Sequence, residues 1–175
     1  MALSELLASF LQPLFDLLPR VDHRPAVNEW AVADAWLREP RTFKGPIFRI
    51  PAITHIEYYS AAEVCLDVGI QSLTTIERKS VAVNATAIVL IEDPLLLRLH
   101  TDAHDWEQWV SMRVRAIVTE IITGHSWDYS LEHASSFICR HASQELREYG
   151  VDVIQVVLED ATEVMPVRLF NNHGE

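Results

Sequence analysis

Gln71 to Pro94 reads QSLTTIERKSVAVNATAIVLIEDP, and the fold turns on how this stretch is read. From Val81 to Ile91 every odd position is apolar: Val81, Val83, Ala85, Ala87, Val89 and Ile91. The even positions begin Ser80, Ala82, Asn84 and Thr86, then become apolar at Ile88 and Leu90. Period-two alternation in β-branched residues predicts a strand, one face buried throughout and the other only toward its C-terminal end. Pro94 cannot donate to a ladder and ends it. Upstream, Val64, Leu66, Val68 and Ile70 alternate with Cys65, Asp67, Gly69 and Gln71, which predicts a second strand. The polar run Thr74 to Lys79 joins the two as a hairpin, with no Asn-Gly pair to fix its turn type.

Working outward, Asn28 to Arg38 alternates loosely as a first strand, and 39–46 reads as a loop. Ile47 to Pro51 and Thr54 to Tyr59 read as short strands. Beyond Pro94 the period changes. Trp106, Trp109, Val110, Val114, Ile117 and Ile121 recur at helical spacing, predicting a helix from about Ala103 to Thr123 with Gly124 as its stop. Ser126 or Asp128 can cap a second helix carrying Leu131, Ala134, Phe137, Ile138, Ala142 and Leu146. Gly150 stands where a left-handed residue closes that helix, and Val151 to Leu158 is a strongly apolar strand. The order is α+β, with two main helices packed on one side of a largely antiparallel, twisted sheet.

The N-terminus has its own pattern. Leu3, Leu6, Leu7, Phe10, Leu11, Leu14, Phe15 and Leu18 follow a three-four spacing and predict an amphipathic helix. Pro13 kinks it and Pro19 closes it. Such a stripe can be buried on its own domain, on another subunit or in a bilayer interface. It has no basic face. The boundaries are an amphipathic segment over 1–19, a linker over 20–26, one domain over 27–165 and a tail over 166–175.

The 175 residues are enough for one domain with a real core, and an apolar fraction of 49% is that of a globular protein. A net charge of −11 with only two lysines excludes a nucleic-acid partner, because phosphate neutralisation needs clustered cations. The same charge removes the usual attraction to anionic lipid. No run of 18 apolar residues is present, and 1–19 has no basic residue to begin a secretory signal. Cys65 and Cys139 read as two buried, reduced thiols outside any C-x-x-C motif.

The chemistry-bearing residues form no site. His100 and His104, with Asp102 and Asp105 beside them, would share a helical face as metal ligands do, but the same acids suit a helix N-terminus. No further ligand is evident, so no metal is expected. His133 and His141 read as surface residues. Glu92-Asp93 and Glu159-Asp160 lie at strand ends, where neighbours point to opposite faces, so neither pair makes an acid–base dyad. There is no G-x-S-x-G elbow and no glycine-rich phosphate loop among the five glycines. No catalytic residue, cofactor or small-molecule substrate is expected.

Taken together, four segments resemble the SPFH or band 7 family of stomatin, prohibitin, flotillin and HflK/C. Gly45-Pro46-Ile47-Phe48-Arg49-Ile50-Pro51 is similar to its G-P-G-x-x-F-x-x-P segment, with Ile47 replacing the second glycine. Gln71 through Asp93-Pro94 resembles its strand pair, in which a threonine-rich turn leads to a V-x-V-x-A strand ending at Asp-Pro; Glu77 stands where Asp is usual. Arg115-Ala116-Ile117-Val118 resembles the L-R-x-V-I helix segment, and Tyr149 through Asp160 the Y-G-V-x-V-x-x-V-x-I-x-D close. The resemblance covers 27–165. It implies an SPFH-type fold and a non-enzymatic, membrane-associated scaffold that self-associates laterally. The expected place is the cytoplasmic face of a membrane, as a peripheral protein, or the cytoplasm. The family's usual N-terminal anchor is replaced here by the kinked stripe at 3–18, and its long coiled coil is not seen before Glu175. The short architecture resembles bacterial or phage-encoded members. The alternative expectation is a soluble structural protein whose Leu/Phe stripe is buried on neighbouring subunits of a homo-oligomer.

Overall fold

A computed structural model of the chain describes Leu11, Leu18, 20–22, 28–35, 38–44, 47–50 and 54–164. The class is α+β. The described strands do not form a single sheet. They divide into two three-stranded antiparallel sheets and a two-stranded ladder. Among the described residues the contacts group into two compact units interleaved in sequence. One holds Met1–Val64, Leu90–Trp106 and Glu148–Val151; the other holds Cys65–Val89, Glu107–Arg147 and Asp152–Glu175.

In the first unit, β1 (Arg20–Asp22) pairs antiparallel with β4 (Ile47–Arg49). The linker expected at 20–26 thus begins in a strand, its backbone donors and acceptors satisfied in a ladder, while 23–26 lie outside the described residues. Strand β2 (Glu29–Ala35) is the centre of a sheet between β3 (Arg38–Phe43) and β5 (Thr54–Ser60). Strand β3 replaces the first part, 39–43, of the loop expected at 39–46; Gly45 and Pro46 lie outside the described residues. Pro40 argued against a strand, but it sits on an edge, at a break in register. Ala33 pairs with Arg41 and Ala35 with Arg38, leaving Glu39 and Pro40 opposite Asp34 alone. An edge bulge is where a residue without an N–H is tolerated. Ala31, Val32, Ile47 and Tyr59 are buried here.

Pro94 does more than end a strand. Helix α1 (Pro94–Arg98) starts on it, with Asp93 accepting from Leu95 N–H at 2.9 Å and Leu96 N–H at 3.4 Å. Proline suits this first helical position, where its missing donor would be unpaired anyway. After a 3₁₀ turn at Arg147–Tyr149, Gly150 adopts φ +76° and its carbonyl accepts from Glu92 and Asp93 N–H at 2.9 and 3.0 Å. A Cβ on Gly150 would stand 2.2 Å from the Asp93 carbonyl oxygen. Only glycine satisfies both the dihedral and the space.

In the second unit, β6 (Val64–Thr74), β7 (Ser80–Ile91) and β8 (Val151–Glu163) form a sheet with β7 in the middle. Val81, Val83, Ala85, Ala87 and Val89 are all 1% exposed or less, while the opposite face is half-buried throughout. The hairpin turn is a three-residue loop. Arg78 N–H donates to Thr75 O at 2.9 Å, Thr75 N–H to Lys79 O at 3.0 Å, and Arg78 takes a left-handed φ of 64°. Type I turns followed by a left-handed residue close such loops.

The alternation expected along β6 holds to Val68 and then shifts. Ile70 is 73% exposed and Gln71 is buried. The cause is Gly69, at φ +78°, whose N–H is bound by Asp67 Oδ1 at 2.7 Å. One residue in this conformation moves every later side chain to the other face. Strand β8 continues five residues past the expected Leu158, because Val164 N–H still reaches Ser80 O at 2.8 Å and Glu159 bonds Asn84 and Thr86 of β7.

Helix α2 (Trp106–Gly124) begins three residues later than expected and ends on Gly124 itself; helix α3 (Trp127–Leu146) follows Ser126. Val110, Val114, Val118 and Ile122 on α2 are fully buried, as are Ile138, Ala142 and Leu146 on α3. Polar side chains tie the helices to the strands. Arg115 donates to Val68 O with Nε at 3.0 Å and Nη2 at 2.7 Å, and Ser111 Oγ to Asp67 O at 2.9 Å. On α3, Ser143 Oγ donates to Asp152 Oδ1 at 2.7 Å. No helix among the described residues is long and apolar enough to cross a membrane.

The two glycines with opposite surroundings give a direct check. Gly150→Ala should lower stability by about 2 kcal/mol or more, since it adds a strained dihedral to a backbone overlap. Gly124→Ala, with open space around its Cβ position, should be neutral or mildly stabilising. Urea midpoints of both variants measure the contrast.

Candidate functional site

The stripe predicted for lipid or subunit contact falls mostly outside the described residues: Leu3, Leu6, Leu7, Phe10, Leu14 and Phe15 lie there. Leu11 and Leu18 are described. Leu11 is helical, and the two are 43% and 53% exposed. Leu18 lies in a bend. About half of each residue's surface is open.

The first unit holds a polar cluster that strand periodicity alone does not assemble. Arg98, on the last turn of α1, reaches two acids on different strands: Nη2 lies 3.2 Å from Asp34 Oδ2 on β2, and Nε lies 3.0 Å from Glu57 Oε2 on β5. Glu57 is only 13% exposed, and it also accepts from the Tyr59 hydroxyl at 3.1 Å and meets His55 Nε2 at 3.2 Å. A nearly buried carboxylate is tolerable only with partners of this kind. Burial, then the Glu57 charge and its hydrogen bond, hold the Tyr59 phenol protonated well above the ordinary tyrosine range. The signals for this cluster were the alternation of His55, Glu57 and Tyr59 on one face of a strand and an arginine ending a short helix; its assembly needed the tertiary fold.

Beside the cluster lies a cavity of about 490 Å³ lined by His55, Glu57, Tyr58, Asp102 and His104, with Ile56 and Ala103. It brings His104 and Asp102 near a strand, not onto a helix with His100. Helix α2 starts only at Trp106, so the shared helical face considered for His100 and His104 does not exist. His100 instead meets the Tyr149 ring edge-on at 4.6 Å. Among the described residues no three His, Cys, Asp or Glu side chains converge as metal ligands would. His141 stacks on Phe137 at 6.1 Å, and His133 is exposed. Of the carboxylate pairs, Asp93 caps α1, while Glu159 is held by Asn84 and Thr86.

The cysteines differ from expectation. Both are free, but Cys65 is exposed and Cys139 half-buried. Cys65 occupies the face of β6 opposite Leu66, and that face is open; the Cys139 thiol donates to the carbonyls of Val153 and Ile154 at 3.6 and 3.5 Å.

Comparison of the chain with protein-family models and with curated proteins finds no match.

Two measurements probe the Glu57 cluster. Arg98→Met should destabilise by about 1.5–3 kcal/mol, the worth of hydrogen bonds to a charged group, in thermal or urea unfolding. In an alkaline absorbance titration, one of the four tyrosines should stay protonated until the chain unfolds. The sign follows from linkage. A phenol whose pKa is raised in the folded state contributes stability fully present below the unfolded value of 10.0, and this is lost as pH rises above it. Tyr59→Phe should therefore flatten the fall in stability above pH 10.0.

Proposed function

We propose that this chain is a non-enzymatic scaffold that lies peripherally on the cytoplasmic face of a membrane and self-associates through its SPFH-like domain. The observation that carries the reading is the exposure of Leu11 and Leu18, 43% and 53%, on the stripe that begins at Leu3. For these two residues the exposure favours lipid or another subunit over the chain's own domain. The order of motifs from Gly45 to Asp160 supports the family reading that joins membrane association to lateral assembly.

A net charge of −11 shapes how the membrane is met. Binding draws on apolar burial, at about 25 cal/mol per Å², with no electrostatic help from anionic headgroups. Vesicle binding should therefore be as good on neutral phosphatidylcholine as on phosphatidylserine, and should weaken little with salt. The lack of basic residues in 1–19 weakens the lipid reading and supports a second one, a soluble structural protein in which neighbouring subunits bury the stripe.

Flotation separates the two. The chain should rise with neutral phosphatidylcholine vesicles, while the Leu11→Glu/Leu18→Glu double variant and a chain lacking 1–19 should stay in the dense fraction. If the unaltered chain also stays there, and its mass in lipid-free buffer falls on loss of 1–19, the stripe is a subunit contact.

A further inference from the structure

We infer that the free edge of β6, from Ile70 to Thr74, is where a second copy of this chain pairs, strand to strand and antiparallel. This rests on the self-association reading and names the surface that performs it.

The sheet β6–β7–β8 has two edges, and they are built differently. The β8 edge carries Glu159, Asp160 and Glu163, all exposed. Two copies meeting there would place like charges together, and charge of this kind is how edge strands are kept from pairing. Beyond the exposed Asp67, the β6 edge has no such guard. From Val68 to Ile76 the sequence VGIQSLTTI contains no charged residue, in a chain where Asp and Glu number 25. Ile70 is 73% exposed and Ile76 67% exposed. Among the described residues β6 has β7 on one side and no strand on the other.

The usable length is set by α2. Arg115 and Ser111 already occupy the carbonyls of Val68 and Asp67, and Gly69 breaks the strand's alternation between them and Ile70. The open edge therefore starts at Ile70 and runs to the hairpin. Charge decides the occupant. A strongly acidic protein brings two copies of itself together at lowest cost where neither contributes charge, and this run is such a place. Pairing about a two-fold axis near Ser72 sets the two Ser72 residues opposite each other and brings Ile70 against Thr74 of the second copy. Five residues of edge bury less than the roughly 1,200 Å² of a stable complex, so the pair should be weak and concentration-dependent, becoming tight only where copies are already crowded.

The test is a charge swap at Ser72, which is exposed. In sedimentation equilibrium without lipid, the unaltered chain should pass from one to two chains as concentration rises. Ser72→Glu and Ser72→Lys should each weaken this at least tenfold, and an equimolar mixture of the two should restore it. Unfolding midpoints within error of the unaltered chain show that the fold is kept. Thr162→Lys, on the β8 edge, should leave association unchanged. A chain that stays single at every concentration overturns the inference, as does a Ser72→Glu variant that associates like the unaltered chain. The second outcome leaves self-association standing through another surface, and flotation reports on the membrane reading independently of both.

Discussion

Burial of one face of β7 along its whole length is the constraint from which the rest of the second unit follows. Five alternate side chains from Val81 to Val89 are at most 1% exposed. A strand in the middle of a sheet can bury a face so completely only if neighbours supply hydrogen bonds on both edges and helices supply apolar cover. The hairpin at Thr75–Lys79 delivers β6 to one edge, and β8 arrives at the other. The apolar rows of α2 and α3 close the core. The polar ties from Arg115 and Ser143 fix where each helix lies along its strand, which apolar contact alone does not specify.

The first unit uses a different means. Its strands are short and its core is small, and two polar arrangements organise it. At Gly150 the chain doubles against Asp93, and the same Asp93 caps α1, so one aspartate binds a helix start through its carboxylate and a glycine's neighbourhood through its backbone. Arg98, at the far end of that five-residue helix, reaches β2 and β5. Such a short helix has little stability of its own. It is held at one end by a cap and at the other by two carboxylates.

What was legible in the sequence tracks the range of the forces. Strand β7, both long helices and the left-handed Gly150 follow from local pattern and were readable. Strand β3 was hidden by Pro40, whose tolerance depends on the edge position and on the register break opposite Asp34. The flip at Ile70 was hidden because period-two counting assumes no bulge; the isolated Gly69 was the available signal. The Glu57 cluster was unreadable, since Asp34, Glu57 and Arg98 are distant in sequence and meet only through the sheet. The proposed contact surfaces divide the same way: the stripe is visible as a pattern at 3–18, whereas the uncharged β6 edge acquires meaning only once β8 is seen to carry the acids.

The order in which the chain is made bears on the sheet. The β6–β7 hairpin is local and can close as soon as Ile91 has left the ribosome, but the partners of Glu159 on β7, Asn84 and Thr86, lie 75 and 73 residues before it. Long-range pairing of this kind forms late. Throughout synthesis of α2 and α3, β7 therefore presents an unpaired edge of twelve residues. A protein so arranged depends on its rate of completion, and slow translation between Pro94 and Val151 is where misassembly would begin.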